Sequence, residues 1–172
     1  MKRSVLKSKT REEDTIVVPP LGKLLQMARK SGNLIASGMG LKNFPELIWK
    51  FNCIAMPADE KWWELGELRR IDLSRNEIVE VVAPVDYEPF PQLSHLNLSK
   101  NLITSLSRSL ITETLLFLDI SENSLKELPP IDGCHCLAEL RASSNRITSI
   151  SGVSFRGCVI STLILSGNEL EE

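Results

Sequence analysis

From residue 68 onward, apolar and polar positions recur in a fixed order. Leu93, Leu96 and Leu98 are followed by Asn101, Ile103 and Leu106. The same positions are filled by Leu68, Ile71, Leu73, Asn76, Ile78 and Val81, and by Leu115, Leu118, Ile120, Asn123, Leu125 and Leu128. They recur as Leu137, Leu140, Ala142, Asn145, Ile147 and Ile150, and a last, shortened unit holds Ile160, Leu163, Leu165, Asn168 and Leu170. The asparagines at 76, 101, 123, 145 and 168 are 25, 22, 22 and 23 positions apart. Within each unit two apolar residues alternate with polar ones, which predicts a short strand with one buried face. The return segments, with pairs such as Ile103 and Leu106, point to the same core. They are bulkier than strands, so a stack of such units bends into an arc.

Upstream, the rhythm weakens in stages. Residues 1–20 are polar and charged and end in IVVPP, which predicts a mobile tail, locally extended before Pro19 and Pro20. Its basic residues Lys2, Arg3, Lys7, Lys9 and Arg11 could form a targeting or anion-binding patch. Glu12, Glu13 and Asp14 follow at once and favour a solvated tail. Over residues 21–33, Leu21, Leu24, Leu25 and Ala28 share one helical face and Gly32-Asn33 is a stop signal. Such a helix can cover the first edge of the core or bind a partner, and capping is the reading adopted. Residues 34–49 form a degenerate first repeat, with Leu34 and Ala36 at strand positions, Gly40 where asparagine is expected and Pro45 closing the unit. Residues 50–64 are an insertion. Its adjacent Trp62 and Trp63 cannot face the same way on a helix, so one packs inward and the other covers it or anchors a partner. The array proper covers residues 65–172. Six strands about 4.8 Å apart predict a sheet roughly 24 Å across.

The asparagine has a structural reading. Where the chain leaves the strand, backbone N–H and C=O groups point inward without ladder partners. A buried carboxamide can donate and accept there, for its own turn and its neighbour's. Gly40 offers no such side chain, so the first repeat is expected to turn differently.

The spacing L-x-x-L-x-L-x-x-N is the signature of a leucine-rich repeat. The predicted fold is an α/β repeat solenoid: an arc with short parallel concave strands, irregular or helical convex segments and an N-terminal amphipathic helix cap. Residues 24–82 are also similar to the amino-terminal region of the leucine-rich repeat-containing protein forty family. The matching positions are the ARKSG at 28–32, Pro45, Trp49, and the WWE at 62–64. That resemblance implies an all-repeat, non-enzymatic protein and supplies no catalytic or binding residues. Members are much longer, whereas this chain stops at LSGNELEE without a terminal cap, which suggests a fragment, a truncated gene model or a short isoform. Its carboxy-terminal edge is expected to expose apolar core and an unpaired strand, inviting self-association or fraying over residues 160–172.

Composition narrows the function classes. A net charge of −2 over 172 residues gives no basic field for nucleic acid. No apolar run approaches the roughly 18 residues of a membrane span, and the basic start lacks the apolar core of a secretory signal. Cys53, Cys134, Cys136 and Cys158 are too scattered for a disulfide framework, which points to a reducing compartment, the cytoplasm or alternatively the nucleus. Cys134-His135-Cys136 resembles a metal-binding tract in miniature. Zinc wants four ligands, and buried thiols at repeat-equivalent positions are the simpler account, so no metal and no cofactor is expected.

Alternation places two solvent-facing columns on the concave side. One is Arg70, His95, Phe117, Glu139 and Thr162; the other is Asp72, Asn97, Asp119, Arg141 and Ile164. Mixed charges around an exposed Phe117 are typical of a protein-binding surface. The candidate partner-binding residues are Arg70, Asp72, His95, Asn97, Phe117, Asp119, Glu139 and Arg141. The serines at 74, 99, 121, 143 and 166 are read as helping to satisfy turn backbone. A catalytic reading would pair His95 with Asp119 or Asp72 across neighbouring strands, but it lacks a nucleophile and an enclosed pocket. The expectation is a non-enzymatic protein-interaction module, a scaffold or regulatory subunit. The alternative is a structural or assembly spacer, or a fragment without binding activity of its own.

Overall fold

The structure is a computed structural model that describes residues 20–54, 65–87 and 90–171. All but Pro20 of the expected tail over residues 1–20, and the packing of Trp62 and Trp63, lie outside the described residues.

Helix α1 (Leu21–Ser31) carries no β-branched residue and is rich in Leu, Lys, Ala and other strong helix formers. It ends where Gly32 turns left-handed, at φ 72°, and the Gly32 N–H bonds to the carbonyl of Ala28. A side chain there would stand 3.0 Å from the carbonyl oxygen of Glu67. The helix buries Leu25 and Ala28, the face its periodicity marks, beside β1 (Asn33–Ile35). Arg29 ties it to the next turn: Nη1 donates to Asn52 Oδ1 at 2.6 Å and the guanidinium lies over Phe51. The amphipathic helix is the cap of the array.

The concave sheet has six parallel strands. After β1 come β2 (Arg70–Asp72), β4 (His95–Asn97), β6 (Phe117–Asp119), β7 (Glu139–Arg141) and β8 (Thr162–Ile164), in that spatial order. Their central residues Leu34, Ile71, Leu96, Leu118, Leu140 and Leu163 stand in one register line. Behind them lie Ala36, Leu73, Leu98, Ile120 and Ala142, with Ile78, Ile103, Leu125 and Ile147 closing the core from the convex side. The convex side holds a two-stranded parallel pair, β3 (Glu80–Val81) and β5 (Ser105–Leu106), and the short helix α2 (Glu46–Trp49). Around α2, Trp49 packs against Phe44, Tyr87 and Phe90, which joins the first repeat to the second. At the far edge the core opens: Leu163 is 40% exposed, whereas the other five residues of its line are at 0%.

Each turn after a strand is closed by the following repeat's asparagine. Asn101 Oδ1 accepts the N–H of Ile78, while Nδ2 donates to the carbonyls of Leu73 and Leu98. Asn123 and Asn145 repeat this, with Ile103 and Leu125 as the N–H donors. The expectation for Gly40 is corrected by one position. Strand register aligns Leu34 with Ile71, which puts Met39, not Gly40, at the asparagine position. Gly38 then aligns with Arg75, and both are left-handed, at φ 68° and 57°. The residue before each asparagine shares this conformation: Lys100, Glu122 and Ser144 at φ 57°, 54° and 53°, and Gly167 at φ 71°.

The cysteine expectation is also corrected. Cys134 is buried and Cys158 half-buried, with its thiol donating to the carbonyl of Ile131 at 3.2 Å, but Cys136 is exposed. Cys136 and Cys158 therefore do not share a packing position. Cys136 sits in the tight turn between buried Cys134 and Leu137, which turns its side chain outward.

Candidate protein-binding face on the concave sheet

The sheet fixes the concave side chains in two straight columns, because parallel strands in register place equivalent residues side by side. One runs Asn33, Arg70, His95, Phe117, Glu139, Thr162; the other runs Ile35, Asp72, Asn97, Asp119, Arg141, Ile164. All eight residues singled out in the sequence stand on this one face. Asn33 and Ile35 extend it by a strand. They flank Leu34 and follow from the same alternation.

The second column is partly consumed by the fold. Asp72 Oδ1 accepts both the N–H and the hydroxyl of Ser74, at 3.0 and 2.7 Å. Asn97 does the same for Ser99, and Asp119 Oδ1 accepts the N–H of Ser121. These are side-chain turns that stop each strand after three residues. The serine carbonyls then close the array: those of Ser74, Ser99, Ser121, Ser143 and Ser166 accept N–H groups of the preceding repeat. Arg141 breaks the column's pattern and pairs with Glu139 in the first column.

The first column is the more available one. Phe117 is half-buried rather than exposed, because its neighbours cover its faces. His95 stacks on it at 6.0 Å between centroids and 27° between planes, and the Arg141 guanidinium lies 5.5 Å from its centroid. His95 pairs with neither aspartate. Ser94 Oγ lies 3.0 Å from the carbonyl of Arg69 and 2.9 Å from His95 Nδ1; when its single proton goes to the carbonyl, Nδ1 is the donor to Ser94 Oγ. In that arrangement neutral His95 carries its proton on Nδ1 and leaves Nε2 as an acceptor. Burial, and then the charge of Arg70, push the His95 pKa below its usual value. Ser94 was not singled out in the sequence; a hydroxyl directly before a strand histidine is too common to mark.

The register line of leucines, the asparagine ladder and the curved one-sided sheet together decide the architecture. The chain is a leucine-rich repeat protein. It is 33% identical over 134 residues to leucine-rich repeat and calponin homology domain-containing protein 1 of Mus musculus, covering 76% of this chain and 17% of that protein. It is 39% identical over 66 residues to leucine-rich repeat-containing G-protein coupled receptor 4 of Bos taurus, covering 37% of this chain and 7% of the receptor. No family model matches the chain. A solved leucine-rich repeat protein of Leptospira interrogans aligns at 20% identity and a TM-score of 0.37, over 88% of this chain and 53% of that one. The chain thus spans less than a fifth of the length of either curated relative. None of the three is named for a catalytic activity. Among the described residues no helix is long and apolar enough to cross a membrane. In this leucine-rich repeat protein the convex side carries a groove of about 460 Å³ between α2 and the segment after β3, lined by Leu47, Trp49, Lys50, Val82 and Pro84.

Proposed function

We propose that this leucine-rich repeat protein is a protein-interaction module that holds a protein partner on its concave face. The observation that carries the reading is the Phe117 ring, held between His95 and Arg141 at the middle of that face. An aromatic fixed by its neighbours offers contact area at low entropic cost, the usual quality of an interface anchor. Arg70 and Arg141 beside it, with Asp72, Asn97, Asp119 and Glu139, set which partner fits. Asp72 and Asp119 contribute through the oxygen not engaged by their serines, and Asn97 through its Nδ2 amide.

A scaffold or regulatory-subunit role in the cytoplasm fits this reading. The free thiols of Cys134, Cys136 and Cys158 suit a reducing compartment. The division into a capping helix over 21–33, a degenerate repeat over 34–49 and an array over 65–172 is part of the same proposal. So is membership of the leucine-rich repeat-containing protein forty family. The test is capture of partners by wild type, by Phe117→Ser combined with Arg141→Ala, and by the convex pair Leu47→Ser with Val82→Ser. Loss in the concave variant alone supports the proposal. Retention there, or loss in the convex variant alone, overturns it.

A further inference from the structure

Among the described residues the concave face contains one cation without a counterpart. Arg141 is paired with Glu139, whereas the Arg70 side chain is exposed and has no ion pair or hydrogen bond among the described residues. Its register neighbour is His95, whose Nδ1 is engaged by Ser94 and whose Nε2 has no hydrogen-bond partner among the described residues. The next residue in the column is Phe117, stacked on that ring. Guanidinium, imidazole and phenyl thus stand in line on three consecutive strands, about 4.8 Å apart.

The groups facing His95 from each side are few. Strand β2 presents Arg70 and Asp72, β6 presents Phe117 and Asp119, and its own strand adds uncharged Asn97. Glu139 and Arg141 lie one strand further and neutralise each other. Asp72 and Asp119 each have an oxygen engaged by a serine, and they sit in the other column, two residues along the strand. Of these charges Arg70 is the one that moves the His95 pKa, downward and after burial.

We propose that Arg70, His95 and Phe117 form a carboxylate subsite for an extended acidic segment of a partner protein. An Asp or Glu side chain of the partner sits between the Arg70 guanidinium and His95 Nε2, and an apolar neighbour lies on Phe117. The partner's backbone N–H groups then run over Asp72, Asn97 and Asp119. A carboxylate there does two things. It supplies the missing counter-charge of Arg70, and it favours proton uptake at Nε2, which turns His95 from an acceptor into a charged donor. The Nδ1 bond to Ser94 persists in both states, so the ring need not rotate. A partner that favours protonated His95 must bind more tightly as pH falls through the histidine range. This rests on the concave reading above and specifies its chemistry.

The chain has two histidines, His95 and His135, which makes the titration readable by NMR. The probe is a labelled peptide of alternating glutamate and leucine, compared with its glutamine counterpart and with a phosphoserine version. Saturating glutamate peptide is expected to raise the His95 midpoint by about one pH unit, which makes binding roughly fivefold tighter at pH 5.5 than at 7.5. His95→Gln removes the pH dependence, and Arg70→Gln weakens binding about tenfold at either pH. Thermal unfolding of both variants close to wild type keeps the comparison clean. Equal binding of the glutamine peptide, with Phe117 resonances still shifting, overturns the carboxylate subsite and leaves the concave reading standing. Tighter binding of the phosphoserine peptide overturns the commitment to a carboxylate. Absence of any concave shift overturns both readings.

Discussion

Asn76 holds the backbone of Met39. Its Oδ1 accepts the N–H of Met39 at 2.9 Å and that of Leu41 at 3.0 Å, and its Nδ2 donates to the carbonyl of Ala36 at 2.9 Å. The first repeat, which has methionine at the asparagine position, is therefore closed by its successor. Each asparagine further along serves two turns in the same way, its own and the preceding one.

Removing that carboxamide leaves several buried groups unpaired, each costing about 1–3 kcal/mol. Asn76→Ala is expected to lower the unfolding free energy by about 3 kcal/mol or more. Asn168→Ala, half-buried at the open edge, is expected to cost about 1 kcal/mol. Urea unfolding of both variants checks the order, and equal midpoints would contradict the ladder.

The left-handed residue before each asparagine gives a second test. Arg75 sits at φ 57° with an exposed side chain, whereas Gly38 occupies the equivalent place at φ 68°. A side chain in this region costs about 1–2 kcal/mol. Arg75→Gly should recover most of that strain, less the extra entropy of the unfolded chain, and so stabilise modestly. Gly38→Ala should destabilise by about 1 kcal/mol. Thermal unfolding measured by calorimetry reads both signs.

The thiols should react in order of exposure and charge. Burial, then the nearby Cys158, pushes the Cys134 thiol up to about 11, so at pH 8 only about one molecule in a thousand carries its thiolate. Cys53 and Cys136 are exposed. Timed alkylation followed by mass spectrometry should label Cys53 and Cys136 first and Cys134 only on unfolding.

His95 should leave a pH signature on stability. Its folded pKa lies below the unfolded value, so as pH falls the unfolded chain takes up the proton first. The contribution is fully present above the unfolded value near 6.5 and is lost as pH falls through the folded one. The drop in unfolding free energy between pH 7.5 and 5 should be smaller in His95→Gln than in wild type, with His135 common to both.

Much of this was legible in the chain because one period sets everything. Strand positions, asparagine ladder and both concave columns follow from counting from Leu93, Leu96, Leu98 and Asn101. What escaped depends on backbone conformation or on contacts across repeats. The left-handed position before asparagine is filled by Arg, Lys, Glu, Ser and Gly, so residue type does not mark it. The misplaced Gly40 is the same blindness: Gly38 and Gly40 are both left-handed, and strand register alone decides between them. Asp72, Asn97 and Asp119 look like free surface polars in the sequence, yet each binds the serine two residues on. Phe117 looks exposed until His95 and Arg141 are placed against it.

The central claim is that a protein partner rests on the concave face around Phe117. Replacing Phe117 with photoreactive benzoylphenylalanine preserves the ring, and the same group at exposed Leu102 reports on the convex side. Irradiation with the cellular partner pool, followed by mass spectrometry of the adducts, should yield a specific crosslinked protein from position 117 and none from position 102. The same specific adduct from position 102, with none from 117, would contradict the account.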